Sequence, residues 1–267
     1  MPELPEVEVI RRFLNLNIVK EQIGFVDVLY EKSIECAGSF GVSTLYDQTV
    51  NFVNRKGKYL HLGLDNNDLV IHLRMTGQLY FEPDTIPKDH IRWVFNFKSG
   101  KKLYFRDVRK FGRLIIYPKG ELEFCKNADI GFEPWEMPLD TWGEKLKTER
   151  AIKIVLLDQH VIAGIGNIYA DEALYLSGIH PERKASSLDH TEAKDLLKAI
   201  RIVLDQGIRY GGTTFRDYLG GDGKKGAMQD HLYVYQKTGS NCLRCSRPIS
   251  RIKVGGRSSH FCSNCQS

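Results

Sequence analysis

The 267-residue sequence carries 38 lysines and arginines against 33 aspartates and glutamates, a net charge of +5. With 42% hydrophobic and 27% charged residues it excludes both a disordered basic tail and a membrane-embedded helical protein: there is enough apolar material for two cores, and no run is long and apolar enough to span a bilayer. Its basicity is local, which points to a polyanionic partner met by one part of the chain.

Leu4, Val7, Ile10 and Leu14 recur at intervals of three and four and predict an amphipathic helix at the amino end. From Ile23 the pattern breaks into short runs rich in β-formers: 23–30, 49–53, 58–64, 69–74, 92–97, 102–105 and 113–117. Turn signals such as Asp65-Asn66-Asn67-Asp68 and Ser99-Gly100 separate them, so an antiparallel sandwich or barrel is expected. After Pro134 and Pro138 the pattern is helical, and a second domain starts near residue 140. Gly164-Ile165-Gly166 predicts a turn into a helix with Asn167 as N-cap, a geometry whose free N–H groups suit phosphate. Leu188-Asp189 leads another helix, with Ala193, Leu196, Leu197, Ile200, Val203 and Leu204 on one face and Gly211-Gly212 at its end. The glycine-dense stretch 215–231 reads as a flexible functional loop or as a plain linker.

Two C-x2-C knuckles, Cys242/Cys245 and Cys262/Cys265, are separated by sixteen residues, the spacing of a four-cysteine zinc site. Four thiolates close a tetrahedral shell with no position left for water, so one structural Zn2+ is expected rather than a catalytic one. Two disulfides fit less well, because the amino end lacks the features of a secretory signal. From Gln236 to Ser267 there are Lys237, Arg244, Arg247, Arg251, Lys253 and Arg257 but no acidic residue. The alternation over 251–254, followed by Gly255-Gly256, predicts a hairpin that presents arginines to nucleic acid. At the other end, removal of Met1 would leave Pro2 with a secondary amine of pKa about 8, a partly neutral nucleophile able to form an iminium with a sugar carbon. Glu3 and Glu6 lie beside it as candidate proton-transfer groups. The same octapeptide also suits a first helical turn, where proline is harmless and acids complement the dipole, and the residues alone leave both readings open.

Pro2-Glu3-Leu4-Pro5-Glu6-Val7-Glu8, Lys56-Gly57-Lys58-Tyr59-Leu60, His72-Leu73-Arg74-Met75-Thr76-Gly77, Asp107-Val108-Arg109-Lys110-Phe111-Gly112, the turn from Gly164 to Tyr169 and the four cysteines resemble, in order and along essentially the whole chain, the formamidopyrimidine-DNA glycosylase (Fpg) family. The resemblance implies an α+β multidomain fold. An N-terminal helix and antiparallel β-sandwich would occupy 1–135, a helix-two-turn-helix DNA-binding domain 140–232 with a lesion loop at 215–231, and a zinc-finger β-hairpin 233–267. It implies a base-excision-repair glycosylase and abasic-site lyase acting on double-stranded DNA with oxidised purines or abasic sites, as a monomer in a bacterial cytoplasm. Pro2 would form the Schiff base, Glu3 would move protons during sugar ring opening, Lys58 would serve β-elimination and Arg257 δ-elimination. Met75, Arg109 and Phe111 would fill the hole left by a flipped base. His90, Lys153 and Asn167, with Arg150 just upstream of Lys153, would contact DNA. Two other readings stand against this one. An endonuclease VIII-like enzyme for oxidised pyrimidines usually carries Gly in place of Leu4 and lacks the Met75, Arg109 and Phe111 set; a non-catalytic zinc-finger DNA-binding protein has no need of Pro2, Glu3 and Lys58.

Overall fold

The expected amino-terminal helix forms over Leu4–Ile18 (α1) in the computed structural model, which describes residues 2–81, 89–122, 130–215, 218–221 and 223–267. Of the predicted loop 215–231, residues 216, 217 and 222 lie outside the described residues. The strands that follow are β1 (Ile23–Val28), β2 (Ile34–Cys36), β3 (Phe52–Lys56), β4 (Tyr59–Gly63), β5 (Asn67–His72), β6 (Gly77–Phe81), β7 (Ile91–Phe97), β8 (Lys102–Asp107) and β9 (Arg113–Pro118). They build a four-stranded sheet in the order β1-β7-β8-β6 and a five-stranded sheet in the order β2-β9-β5-β4-β3. Neighbours are antiparallel except β2 and β9, which run parallel with Ile34 opposite Leu114. Val7, Ile10, Leu14 and Ile18 of α1 share one core with Leu60, Leu69 and Ile71 of one sheet and Trp93, Phe95 and Phe105 of the other. Each such side chain contributes roughly 1.5–3 kcal/mol on full burial, so the helix is fixed chiefly by packing.

Two differences from the sequence pattern have local causes. β5 begins at Asn67, inside the predicted turn, because the polar side chains there find partners far away: Asn67 donates to the Tyr117 carbonyl at 3.0 Å, and the Asp68 carboxylate accepts the Gly120 amide at 2.8 Å. The short strands β2 and β6 carry no alternation long enough to be recognised.

Contacts divide the chain into one unit of Met1–Asn127 with Ile208–Gln229 and another of Ala128–Gly207 with Asp230–Ser267. Ile208–Gln229 thus groups with the sheets, whereas the sequence division attaches 215–231 to the helices. The second unit holds α2 (Leu139–Leu146), α3 (Ile152–Leu157), α4 (Asn167–Ser177), most of α5 (His190–Arg209) and the hairpin β10 (Ser250–Val254) with β11 (Arg257–Phe261). The predicted apolar face of α5 is buried, and Trp142 of α2 donates its indole N–H to the Ala193 carbonyl at 2.9 Å. Gly255 and Gly256 form the hairpin turn with φ of 54° and 78°, the left-handed pair that a two-residue turn matched to strand twist requires.

Candidate active site

The helical reading of the amino-terminal octapeptide is observed directly. Glu3 is the N-cap of α1, its side chain taking the Glu6 N–H, while the Glu3 N–H donates to Glu6 Oε2 at 2.8 Å in a capping box. Pro2, Glu3 and Glu6 are all buried, which places the prospective amine in a sheltered setting beside two carboxylates. One turn on, Glu8 accepts from Arg11, Arg12 and Arg55 at 2.9, 2.8 and 3.1 Å. Burial alone would raise its pKa, but the three guanidinium groups outweigh burial and hold the carboxyl below its ordinary range. Arg55 also donates to the Gly57 carbonyl at 3.0 Å, so α1 is tied to the β3–β4 turn in which Lys58 sits. Nothing in the sequence assigned Glu8 or Arg55 this task; an acid on the buried side of a helix was the available signal.

Lys58 is buried, and His72 at the end of β5 lies close enough for its charge to matter. Burial, then Arg74 and Lys58, bring the His72 pKa down to about 3, so the ring is neutral and its Nδ1 accepts the Arg74 amide at 2.8 Å. The unfolded chain binds that proton near pH 6.5, the folded unit only near 3. The unfolded state therefore holds more protons in this window, and stability falls as pH drops through it. His72→Gln should remove this dependence: the gap between wild-type and variant melting midpoints narrows as pH falls from 6.5 and is constant above it. A gap independent of pH throughout would contradict a neutral buried His72.

Met75, Arg109 and Phe111 come together from two loops. Arg109 Nη1 meets Met75 Sδ at 2.9 Å, and the guanidinium carbon lies 4.9 Å from the centre of the Phe111 ring. Met75 and Phe111 are 41% and 47% exposed, so neither is a core residue. The two loops are joined by Asp107, which is fully buried and accepts the Thr76 hydroxyl and the Arg109 and Gly112 amides. Arg74, His90 and Lys110 hold left-handed backbones with φ of 54°, 62° and 61°, a cost of order 1–3 kcal/mol each that the surrounding bonds must override. His90 is partly exposed and pairs with Asp89 at 3.0 Å.

In the second unit two expectations are corrected. Asn167 is the first residue of α4 and Gly166 is its N-cap, since a glycine backbone satisfies the cap without a side-chain bond. Lys153, expected to contact DNA, is fully buried in α3: its ammonium meets Asp171 Oδ1 at 2.6 Å and the Ser258 carbonyl at 2.7 Å. Asp171 also accepts the Ser259 hydroxyl at 2.9 Å and the His260 amide at 2.8 Å. Lys153 thus helps fix β11, the strand that Arg257 opens. Arg150 pairs with Asp158 at 2.8 Å and is half exposed. Next to Asp171, the buried Glu172 takes the amides of Tyr233, Val234 and Tyr235 at 2.6, 2.9 and 2.8 Å. Burial pushes its pKa up against these three donors.

The sulfurs of Cys242, Cys245, Cys262 and Cys265 lie within 4.8 Å of one another. A tetrahedron of thiolates about 2.3 Å from zinc has edges of about 3.8 Å, and the observed Cys242–Cys265 and Cys245–Cys262 separations of 3.9 and 3.4 Å bracket it. Burial would raise the Cys242 thiol, but donors led by the Tyr175 hydroxyl bring it down to about 6, while crowding by Cys245 takes Cys265 up to about 12. A divalent cation lets all four lose their protons together. Cys245→Ser, or chelation, should unfold the hairpin and weaken binding to lesion duplex without unfolding the sheets; amide exchange and a duplex titration check this. Unchanged binding by the metal-free variant would remove the zinc module from the interface.

Residues 1–114 match the formamidopyrimidine-DNA glycosylase N-terminal domain, 130–218 the H2TH domain of the same enzymes, and 239–267 the zinc finger found in FPG and IleRS. The chain is 41% identical over 271 residues to the formamidopyrimidine-DNA glycosylase of Streptococcus mutans, covering 100% of this chain and 99% of that one. It is 44% identical over 277 residues to that of Desulforamulus reducens, with the same coverage. A Lactococcus lactis Fpg variant in complex with Fapy-dG containing DNA superposes with a TM-score of 0.92 at 36% identity, with 100% of each chain covered. A complex of Lactococcus lactis Fpg with abasic site containing DNA superposes with a TM-score of 0.91 at 36% identity, with 99% of each chain covered. A helix-capped sandwich, a buried amino-terminal proline, a tetrathiolate hairpin and three domain matches along the chain agree: it belongs to the formamidopyrimidine-DNA glycosylase family.

Proposed function

We propose that this chain is a base-excision-repair glycosylase and abasic-site lyase that removes oxidised purines from double-stranded DNA, acting as a single chain in a bacterial cytoplasm. The observation that carries the purine reading is the exposed cluster of Met75, Arg109 and Phe111 on the unit that also holds Pro2. A flipped nucleotide leaves a gap and an orphaned partner base; a thioether, an aromatic ring and a guanidinium can fill the one and hydrogen-bond the other.

With Met1 removed, the Pro2 nitrogen forms a bond to C1′ as the bond from C1′ to the base breaks; the base leaves with the bonding electron pair and takes a proton from water, and the proton on the Pro2 nitrogen passes to Glu3. The bond from C1′ to the ring oxygen then opens, leaving an iminium, and Glu3 supplies the proton that the ring oxygen takes. The iminium acidifies C2′; loss of a C2′ proton expels the 3′ phosphate, with Lys58 as the proton-transfer group for this step. A second elimination, with Arg257 at the hairpin turn, expels the 5′ phosphate and leaves a one-nucleotide gap. His90, Arg150 and Asn167 are proposed DNA contacts, and the stretch 215–231 is proposed to cover the flipped base. The zinc module serves binding, because four thiolates leave the metal no open position. Borohydride reduction during turnover of an 8-oxoguanine:cytosine duplex tests the reading: a covalent protein–DNA adduct is expected, and binding without any adduct would leave a non-catalytic DNA-binding protein.

Phe111→Ala should lower base excision by about 5- to 150-fold, the value of roughly 1–3 kcal/mol per stacked base. Arg109→Ala should cost more and flatten discrimination among the four opposite bases, since it also removes the hydrogen bonds to the partner base. Cleavage of preformed abasic sites, where no base is extruded, should suffer less in both variants. Equal losses in every assay would instead indicate a folding defect.

A further inference from the structure

Tyr175, in the last turn of α4, is 1% exposed, and its hydroxyl lies 3.3 Å from Cys242 Sγ. It stands one helical turn beyond Asp171 and Glu172, on the face that receives the carboxy-terminal module. A buried phenol needs a hydrogen-bond partner, and here that partner is a metal ligand. Two neighbours hold the ring. Tyr233 stacks on it with centres 5.5 Å and planes 23° apart, and the Arg244 guanidinium carbon lies 4.6 Å from its centre. Arg244 itself sits between Cys242 and Cys245. It donates to the Tyr175 and Leu176 carbonyls at 2.8 and 2.9 Å, so a cation of the first knuckle caps the carboxyl end of α4, and its own amide lies 3.4 Å from Cys242 Sγ. Helix and knuckle are thus tied twice: by a guanidinium on helix carbonyls, and by a helix hydroxyl on a cysteine sulfur.

We infer that the Tyr175 hydroxyl sets how tightly the four-cysteine site holds its metal, by donating a hydrogen bond to the Cys242 thiolate. A metal-bound thiolate carries no proton, so the hydroxyl is the donor of the pair. Four thiolates around a divalent cation leave negative charge in excess, and at Cys242, which is buried, water is not there to offset it. The hydroxyl takes up part of that charge and fixes the direction of the sulfur. This is the task that partners of metal ligands perform elsewhere, and it falls to a helix that belongs to the DNA-binding unit rather than to the knuckles themselves.

Tyr175→Phe removes the hydroxyl and keeps the ring against Tyr233 and Arg244. Competition with a chromogenic chelator should show zinc affinity lower by about 10-fold or more, the loss typical when the partner of a metal ligand is removed. Cobalt(II) in place of zinc gives a second reading that involves no DNA: a hydrogen bond lowers the energy of the sulfur lone pairs, so its loss should move the sulfur-to-cobalt charge-transfer band to longer wavelength. Arg244→Lys keeps the hydroxyl but gives up the fork on the two carbonyls, and should leave that band in place. Amide exchange of β10 and β11 in zinc-saturated Tyr175→Phe should match that of the wild type. The inference is overturned if Tyr175→Phe holds zinc as tightly as the wild type, if its cobalt band does not move, if Arg244→Lys moves the band equally, or if the hairpin of Tyr175→Phe stays unprotected in saturating zinc, which would make ring packing the cause. A wild-type chain that takes up no zinc would overturn the tetrathiolate site itself, a separate failure seen before any variant is made.

Discussion

A chain that keeps any residue ahead of Pro2 should form no borohydride-trapped adduct with an abasic-site duplex, yet should bind that duplex nearly as well as the processed protein. An acylated proline nitrogen is a tertiary amide; its lone pair is delocalised into the carbonyl and can form no iminium. The remaining contacts do not use that nitrogen. Pro2→Gly restores an amine, but a primary and more mobile one, and should trap less or with altered product. Glu3→Gln should lose excision of intact lesions while still cleaving abasic sites, because an aldehyde opens with less help than a glycosidic bond breaks. Mass spectrometry of the amino terminus beside the trapping gel decides the matter: efficient trapping by a chain verified to retain Met1 would sink the assignment.

Replacing Lys153 by Met should destabilise the second unit by about 3–5 kcal/mol, the cost of leaving one partner of a buried ion pair uncompensated. Asp171 would keep its hydroxyl and amide donors but lose the ammonium at 2.6 Å, and the Ser258 carbonyl would lose its donor. Lys153→Met with Asp171→Leu should cost less than the single change, since neither charge of the pair remains. Urea titration of the three proteins measures this. If Lys153 met a phosphate instead, stability would hold and the slope of log affinity against log salt would drop by about 0.9. The buried geometry requires the first outcome.

The amino-terminal helix, the hairpin and the zinc ligands were legible in the sequence because each rests on local periodicity or spacing: apolar residues at three and four, a glycine pair at a turn, cysteines two apart. Lys153 was misread for the opposite reason. Its assignment to DNA came from the resemblance alone, and only the fold brings Asp171, eighteen positions away, against it. Asp107, Glu8, Asp171 and Glu172 escaped as positioning groups because their partners lie up to 89 positions distant in sequence. A trace was present all the same. Asp171 and Glu172 interrupt a run of helical residues that is otherwise apolar, and charge on a buried helical face calls for an internal partner.

Those two adjacent acids also bear on the order in which the protein assembles. Glu172 grips the chain where it enters the zinc knuckles, and Asp171 grips the returning strand after the hairpin turn. The apolar core of the knuckles is small and includes Tyr175 of the same helix. During synthesis α4 ends at Ser177, before Cys242 and all the other metal ligands, so the docking template is made before the metal ligands emerge. A peptide of 233–267 loaded with zinc would possess its tetrathiolate but not the carboxylates that receive its amides. The metal closes the knuckle; the helix made earlier determines where Arg257 points.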